Sequence, residues 1–159
     1  MPDTARSHFQ DELAKLEVQA LGGLDMVVEA LDRALETVQQ QDVELASMVI
    51  ADDDRIDGRY LEVHQGVLSL LATQAPVAGD LRLVAALLHI MKNIERMGDQ
   101  CVNIAKLIPI AGHEPPADER ILKNLVTMGA AVRDEIRRRS VATGPCVASS
   151  VRIAWWISR

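Results

Sequence analysis

The sequence predicts an all-α protein, an antiparallel three-helix bundle followed by a partial fourth helix. Three observations support this fold class. Apolar residues recur every three or four positions over long stretches, which is the spacing of one helix face. The chain contains one Phe and one Tyr, whereas sheets usually recruit more aromatic side chains. The breaks between stretches are short, so consecutive helices should lie antiparallel. A length of 159 residues suits a single domain.

The first helix is predicted to run from Thr4 to Gln40. Gly22 and Gly23 interrupt it, at a cost of about 1 kcal/mol for each Gly relative to Ala. We therefore expect a bend or a close helix contact at this point. The apolar stripe of this helix comprises Phe9, Leu13, Leu16, Ala20, Leu24, Val27, Leu31, Leu35 and Val38.

The second and third helices are separated by Pro76. Asp42 suits the N-cap of the second helix, and Pro76 suits the first position of the third. Asp80 then lies in the opening turns, where a negative charge complements the helix dipole. Pro109, Gly112 and the Pro115-Pro116 pair are predicted to end the third helix. The two apolar stripes comprise Leu45, Val49, Ile56, Tyr60, Val63, Val67 and Leu70, and then Leu83, Leu87, Ile90, Ile94, Met97, Cys101, Ile104 and Ile108.

A fourth helical pattern begins near Asp118 and is predicted to end near residue 138. Its stripe comprises Ile121, Leu122, Leu125, Met128, Val132 and Ile136. Without a bundle of its own, this stripe must pack on the first three helices, pair with another chain or stay exposed. We expect this helix to be mobile or to mediate self-association. From residue 139 the periodicity and the acids vanish and two Trp appear, so 139–159 is predicted to be an atypical, disordered tail.

Composition and charge exclude several classes of function. Residues 1–139 hold all 23 acidic side chains and 15 of the 17 basic ones, which argues against nucleic-acid binding. Cys101 and Cys146 form no motif, and Cys101 is predicted to be a small buried apolar residue. The sequence shows neither a signal peptide nor a run of transmembrane length, so a cytoplasmic location is expected.

Two acidic pairs are the most informative feature of the chain. Asp53 and Asp57 lie four residues apart on the second predicted helix, and Glu95 and Asp99 lie four apart on the third. This spacing places each pair on one helix face. Four carboxylates between neighbouring helices are costly to hold together without a cation, and Mg²⁺, Mn²⁺, Ca²⁺, iron or Zn²⁺ would neutralise them. Solvated surface acids, paired with Lys92 and Arg96, are the alternative interpretation.

The sequence lacks the usual signatures of catalysis. It has no Glu-x-x-His motif, no phosphate-binding Gly-rich loop and no nucleophile elbow. We therefore predict that the protein is not an enzyme. Two alternatives stay open at this point, a carboxylate-bridged metalloenzyme of a helical bundle and a structural helical scaffold.

Residues 74–82, QAPVAGDLR, followed by 94–106, IERMGDQCVNIAK, resemble the PhoU family of phosphate-signalling regulators. The resemblance covers about residues 4–136. It implies a first three-helix unit at 1–111, with 112–138 forming a linker and the first helix of an incomplete second unit. It assigns metal binding to Asp53, Asp57, Glu95 and Asp99, and places Asp80, Arg82, Arg96 and Asn103 in the family motifs.

The same resemblance implies a function and partners. Members of this family link a phosphate ABC transporter to a membrane sensor histidine kinase and restrain the phosphate-starvation response. The resemblance therefore implies negative regulation of phosphate uptake, with metal ions as cofactors. A homodimer is also expected, and no nucleic-acid partner.

Overall fold

The computed structural model describes residues 2–111 and 119–142, with side chains from 6 to 111 and from 119 to 138. These residues form helices and no strand, so the predicted all-α class is confirmed. None of the described helices is long and apolar enough to cross a lipid bilayer. The helices are α1 (Pro2–Gln40), α2 (Val43–Ala51), α3 (Asp53–Thr73), α4 (Ala78–Ala111) and α5 (Glu119–Ala142).

Helices α1, α3 and α4 pack against one another as a bundle, with α3 antiparallel to the other two. Gly66 of α3 lies against Leu16 of α1, and Gly23 of α1 lies against Ile94 of α4 and Arg59 of α3. The close helix contact predicted at Gly22-Gly23 is therefore present at Gly23. The main core comprises Phe9, Leu13, Leu16, Ala20, Val27, Ile56, Val63, Val67, Leu70, Val84, Leu87, Ile90, Met91 and Ile94.

The predicted second helix is divided in two at Asp52. The Asp42 side chain accepts hydrogen bonds from the backbone N–H groups of Glu44 and Leu45, so the predicted N-cap is confirmed. At Asp52 the backbone tightens, because its carbonyl accepts from Arg55, three residues on. The Arg33 guanidinium of α1 donates to the Asp52 carboxylate and holds the chain at this point. Helix α2 packs between α1 and α4 over a second core of Leu31, Ala34, Ala46, Val49, Cys101, Ala105 and Ile108.

The third helix begins two residues later than predicted, and it ends at Ala111, between the predicted helix breakers Pro109 and Gly112. Helix α4 begins at Ala78 because Asp80 accepts a hydrogen bond from the Val77 backbone N–H at 3.2 Å, which makes Val77 the N-cap. Helix α4 also continues through Pro109 to Ala111. Pro109 has no backbone N–H and therefore removes one hydrogen bond of α4. The helix tolerates this loss because it ends two residues later.

Helix α5 packs antiparallel on α1 and contacts none of the other described helices. Gly129 lies directly against the Leu35 side chain, and Arg133 and Arg137 donate to the Asp32 carboxylate at 3.1 and 3.0 Å. Helix α5 ends at Ala142, four residues beyond the predicted end near 138. The rest of the predicted tail, 143–159, lies outside the described residues.

An apolar groove, the α5 groove, runs between α4 and α5 with α1 as its floor. Its volume is about 800 Å³, and Leu31, Leu35, Ile104, Leu107, Leu125 and Met128 are among its lining residues. The groove exists because α5 packs on α1, while its described backbone stays apart from that of α4. Of the three outcomes expected for the fourth helix, packing on the bundle is observed for one face, while the neighbouring face stays exposed.

Candidate metal centre

The four predicted metal ligands lie across the contact between α3 and α4. Asp53 opens α3, Asp57 follows one turn later, and Glu95 and Asp99 occupy the middle of α4. Because the two helices are antiparallel, the start of α3 meets this part of α4. We call Asp53, Asp57, Glu95 and Asp99 the carboxylate quartet.

Gly98 allows the two helices to approach at the quartet. A methyl group at residue 98 would lie 3.0 Å from Cδ1 of Ile56 and 3.3 Å from Oδ1 of Asp53. A contact of 3.0 Å is shorter than the usual carbon–carbon separation, so the side chains of Ile56 and Asp53 would have to shift to admit a larger residue at position 98.

The quartet is electrostatically coupled across the two helices. Burial raises the pKa of Asp53, and the charges of Asp57 and Asp99 raise it further, while Lys106 opposes them. Burial also raises the pKa of Asp57, followed by the charges of Glu95 and Asp99. The fold therefore brings Asp53 within electrostatic range of Asp99, and Asp57 within electrostatic range of both Glu95 and Asp99.

Glu95 is the quartet member with a direct cationic partner among the hydrogen bonds described. Lys92 Nζ donates to Glu95 Oε2 at 2.6 Å, and the Glu95 side chain is 18% exposed. This bond raises the pKa of Lys92. The ion pair between Lys92 and Glu95, which the alternative interpretation proposed, is therefore present. Arg96, the other cation named there, is exposed to solvent.

The quartet fits a hard cation by its chemistry. All four donors are carboxylates, which suit Mg²⁺, Mn²⁺ or Ca²⁺, and their mutual repulsion is the charge problem that a cation relieves. Within residues 2–111 and 119–142, however, no group of three or more His, Cys, Asp or Glu side chains is arranged closely enough to hold a metal ion. The quartet is a set of interacting charges and not a closed ligand cage.

A family model described as "PhoU domain" matches residues 23–108, which include the whole quartet. The chain belongs to the PhoU family. It is 37% identical over 105 residues to the phosphate-specific transport system accessory protein PhoU homolog of Aquifex aeolicus, covering 66% of this chain and 48% of that protein. The homolog of Clostridium acetobutylicum is 33% identical over 133 residues, covering 83% and 60% respectively.

A solved structure of the PhoU family has the same fold. The crystal structure of the phosphate transport system regulatory protein PhoU from Streptococcus pneumoniae superposes with a TM-score of 0.76 at 30% identity. The match covers 92% of this chain and 69% of that one. This chain spans about half of the length of the Aquifex relative and 60% of the Clostridium relative.

The predicted PhoU motif residues occupy different environments. Asp80 caps α4 through the Val77 backbone N–H and is half-buried. Arg82, Arg96 and Asn103 lie exposed along α4. The structure thus gives Asp80 a role in starting α4 and leaves the other three available at the surface.

Cys101 of α4 lies two residues after Asp99 and belongs to the second core. It is buried, and burial raises the pKa of its thiol to about 11, with a further contribution from the charge of Asp53. A thiol with this pKa stays protonated at neutral pH and is a poor metal ligand. The prediction of a small buried apolar residue is confirmed.

The roles of two basic residues near the quartet were not predicted from the sequence. Arg33 of α1 binds Asp52, and Lys106 of α4 acts on Asp53. The only local signal for Arg33 was Glu29 four residues earlier, with which it also pairs. No local pattern connects Arg33 to Asp52, because the two residues are 19 positions apart and meet only through the packing of α1.

Proposed function

We propose that this chain is a regulatory accessory protein of a phosphate-specific transport system, as the names of its relatives state for them. The supporting observation is that the PhoU domain match spans residues 23–108 and includes the complete quartet. The match to the Streptococcus structure covers 92% of this chain and therefore extends beyond the residues of the PhoU domain match. In this role the protein binds its partners in the cytoplasm and catalyses no reaction.

We further propose that the quartet binds a divalent cation or iron. Burial and mutual repulsion raise the pKa values of Asp53 and Asp57, so a cation at this place would remove an unfavourable interaction. Glu95 and Asp99 would supply the ligands from α4. A bound ion would neutralise charge and link α3 to α4, making the bundle surface responsive to metal.

The partners belong to the same proposal. The names of the relatives refer to a phosphate-specific transport system, which supports contact with a phosphate ABC transporter. Coupling to a membrane sensor histidine kinase, negative regulation and a homodimer follow from the resemblance in the PhoU motifs. The exposed motif residues Arg82, Arg96 and Asn103 of α4 are the surface positions we assign to this recognition.

Metal content tests the cation site. The double variant Glu95→Gln/Asp99→Asn should lose bound divalent metal, measured by mass spectrometry after dialysis, and keep its helical circular dichroism. Asp11→Asn/Asp25→Asn removes two exposed carboxylates of α1 and serves as the matched control. Unchanged metal content in the quartet variant would refute the site.

The regulatory role is tested in cells. Deleting the gene should derepress phosphate-starvation genes at high phosphate, and a plasmid copy of this chain should restore repression. A reporter from a phosphate-starvation promoter measures both. Normal repression in the deletion strain would contradict the role, provided that no second member of the family is encoded.

A further inference from the structure

The α5 groove offers an apolar surface to a binding partner. Among the described residues that line it, none is charged, and the amides of Gln41 and Gln100 are the polar side chains. On its α5 wall, Leu125, Met128 and Val132 are between 43% and 61% exposed. A charged ligand would lose its hydration in such a groove without gaining a partner for its charge. The groove therefore suits an apolar occupant.

The exposed apolar area is large enough for a weak protein–protein interface. Leu107 on the α4 wall is 60% exposed, and Ile121, one turn before Leu125 on α5, is 55% exposed. Covering these two side chains together with Leu125, Met128 and Val132 in two copies of the chain removes on the order of 1,000 Å² from water. That area reaches the lower limit for a specific interface between two proteins.

The groove and the apolar stripe of α5 have the same length. The α4 wall runs from Met97 to Ala111, which is about 21 Å at the rise of an α-helix. The stripe on α5 runs from Ile121 to Ile136, which is about 22 Å. A second α5 helix therefore covers the groove from end to end.

The stripe of α5 is also symmetric about its own middle, which lies between Met128 and Gly129. In an antiparallel pair of α5 helices centred there, Leu125 faces Val132 of the second copy, and Ile121 faces Ile136 of the second copy. Both faces of such a pair are apolar throughout. Self-complementarity of this kind is what an interface with two-fold symmetry requires.

We propose that the occupant of the α5 groove is a second copy of this chain, with α5 of each copy covering the groove of the other around a two-fold axis near Met128. The inference rests on the homodimer in the proposed function and gives that homodimer its surface. For so small an interface the dissociation constant is on the order of 10 µM. Well below that concentration the chain is a monomer and its groove is open.

Sedimentation equilibrium of the full chain, from about 1 to 300 µM, tests the proposal around the expected dissociation constant. The mass should rise from 17.4 kDa towards twice that value. Met128→Lys and Met128→Glu should each raise the dissociation constant by more than about ten-fold, because two like charges would then face each other across the axis. Met128 is 61% exposed, so both variants should keep the helical circular dichroism of the wild type.

Mixing the two variants tests the symmetry itself. Equal amounts of Met128→Lys and Met128→Glu should associate with a dissociation constant within about three-fold of the wild-type value, because opposite charges then meet at the axis. Met48→Lys is the matched control. Met48 lies on α2, is 58% exposed and is not among the described residues that line the groove. This variant should dimerise like the wild type.

The possible results separate this surface from the proposed function. Dimers that persist equally in Met128→Lys would overturn the α5 groove as the interface and leave the homodimer standing. A monomer at every concentration would overturn both. If that monomer also shows a shift of tryptophan emission to longer wavelength in Met128→Lys, the occupant is the segment 143–159, which contains Trp155 and Trp156. The promoter reporter decides the regulatory role independently of all these results.

Discussion

Helices α4 and α5 carry apolar stripes of the same spacing, yet the two stripes differ greatly in burial. Leu87, Ile90 and Ile94 of α4 are at most 9% exposed. Ile121, Leu125, Met128 and Val132 of α5 are 43–61% exposed. The difference follows from the number of partners, because α4 packs against α1, α2 and α3, whereas α5 packs against α1 alone among the helices that the structure describes.

The comparison shows that helical periodicity predicts a helix without predicting how much of its apolar face is covered. One neighbour covers one side of an apolar stripe, and two or three neighbours are needed to enclose it. The bundle of α1, α3 and α4 is therefore expected to carry most of the free energy of unfolding. Helix α5 is expected to open at a lower free energy, since regions with few buried contacts open first.

Two methionines give the largest expected contrast. Met91 of α4 is fully buried and Met128 of α5 is 61% exposed. Met91→Ala should lower the free energy of unfolding by about 2–5 kcal/mol, because it leaves a cavity in the core. Met128→Ala should change it by no more than about 0.5 kcal/mol. Urea denaturation measures both, and a large cost for Met128→Ala would mean that the α5 groove is covered in solution.

Two glycines test the docking of α5 on α1. A methyl group at Gly129 would collide with the Leu35 side chain, whereas nothing lies within 4 Å of one at Gly22. Gly22→Ala should stabilise α1 by about 0.5–1 kcal/mol through helix propensity. Gly129→Ala should instead weaken the α1–α5 contact.

Limited proteolysis detects this weakening. In Gly129→Ala, cleavage between α4 and α5 should be faster than in the wild type and should leave a core of about residues 4–108. If Gly129→Ala is stabilised as much as Gly22→Ala, the Leu35 side chain moves aside freely. The contact between Gly129 and Leu35 would then not hold α5 on α1.

The smallest effect is expected at Asp53, inside the well-packed bundle. A carboxyl whose pKa is raised on folding binds its proton more tightly in the folded state, so it lowers stability as the pH rises through the folded pKa. Without metal, Asp53→Asn should therefore raise the Tm at pH 7 by about 1–3 °C. The gain should vanish on acidification towards the ordinary Asp pKa of about 3.9.

Thermal unfolding from pH 3.5 to 7 measures this effect, and Asp11→Asn on the exposed face of α1 is the control. If Asp53→Asn is less stable than the wild type at pH 7 in metal-free buffer, Asp53 makes a favourable contact that outweighs the repulsion. Compared with Met91, a change at Asp53 should be minor, because the bundle holds α3 against α4 despite the repulsion.

Local sequence patterns were sufficient for much of the bundle. The stripe from Phe9 to Val38 predicted α1 and its end at Gln40, and Asp42 predicted the cap of α2. Helix periodicity and capping depend on residues within one or two turns, so one sequence contains the necessary information.

Local patterns failed where a distant residue decided the outcome. The division at Asp52 depends on Arg33 of α1, which lies 19 positions earlier in the chain. Sequence spacing placed the four quartet residues on facing helices and named Lys92 and Arg96 as equal candidates for ion pairing. Tertiary packing selected Lys92, which lies beside both Glu95 and the Tyr60 ring.

By itself, the sequence determined that this protein is helical and which apolar stripes face its core, since these properties follow from side chains three or four positions apart. Only the tertiary structure decided that the quartet carboxylates repel one another across α3 and α4, and that α5 has α1 as its sole neighbour among the described helices. Both properties depend on the distance between segments far apart in the chain, and that distance is set by the packing of whole helices.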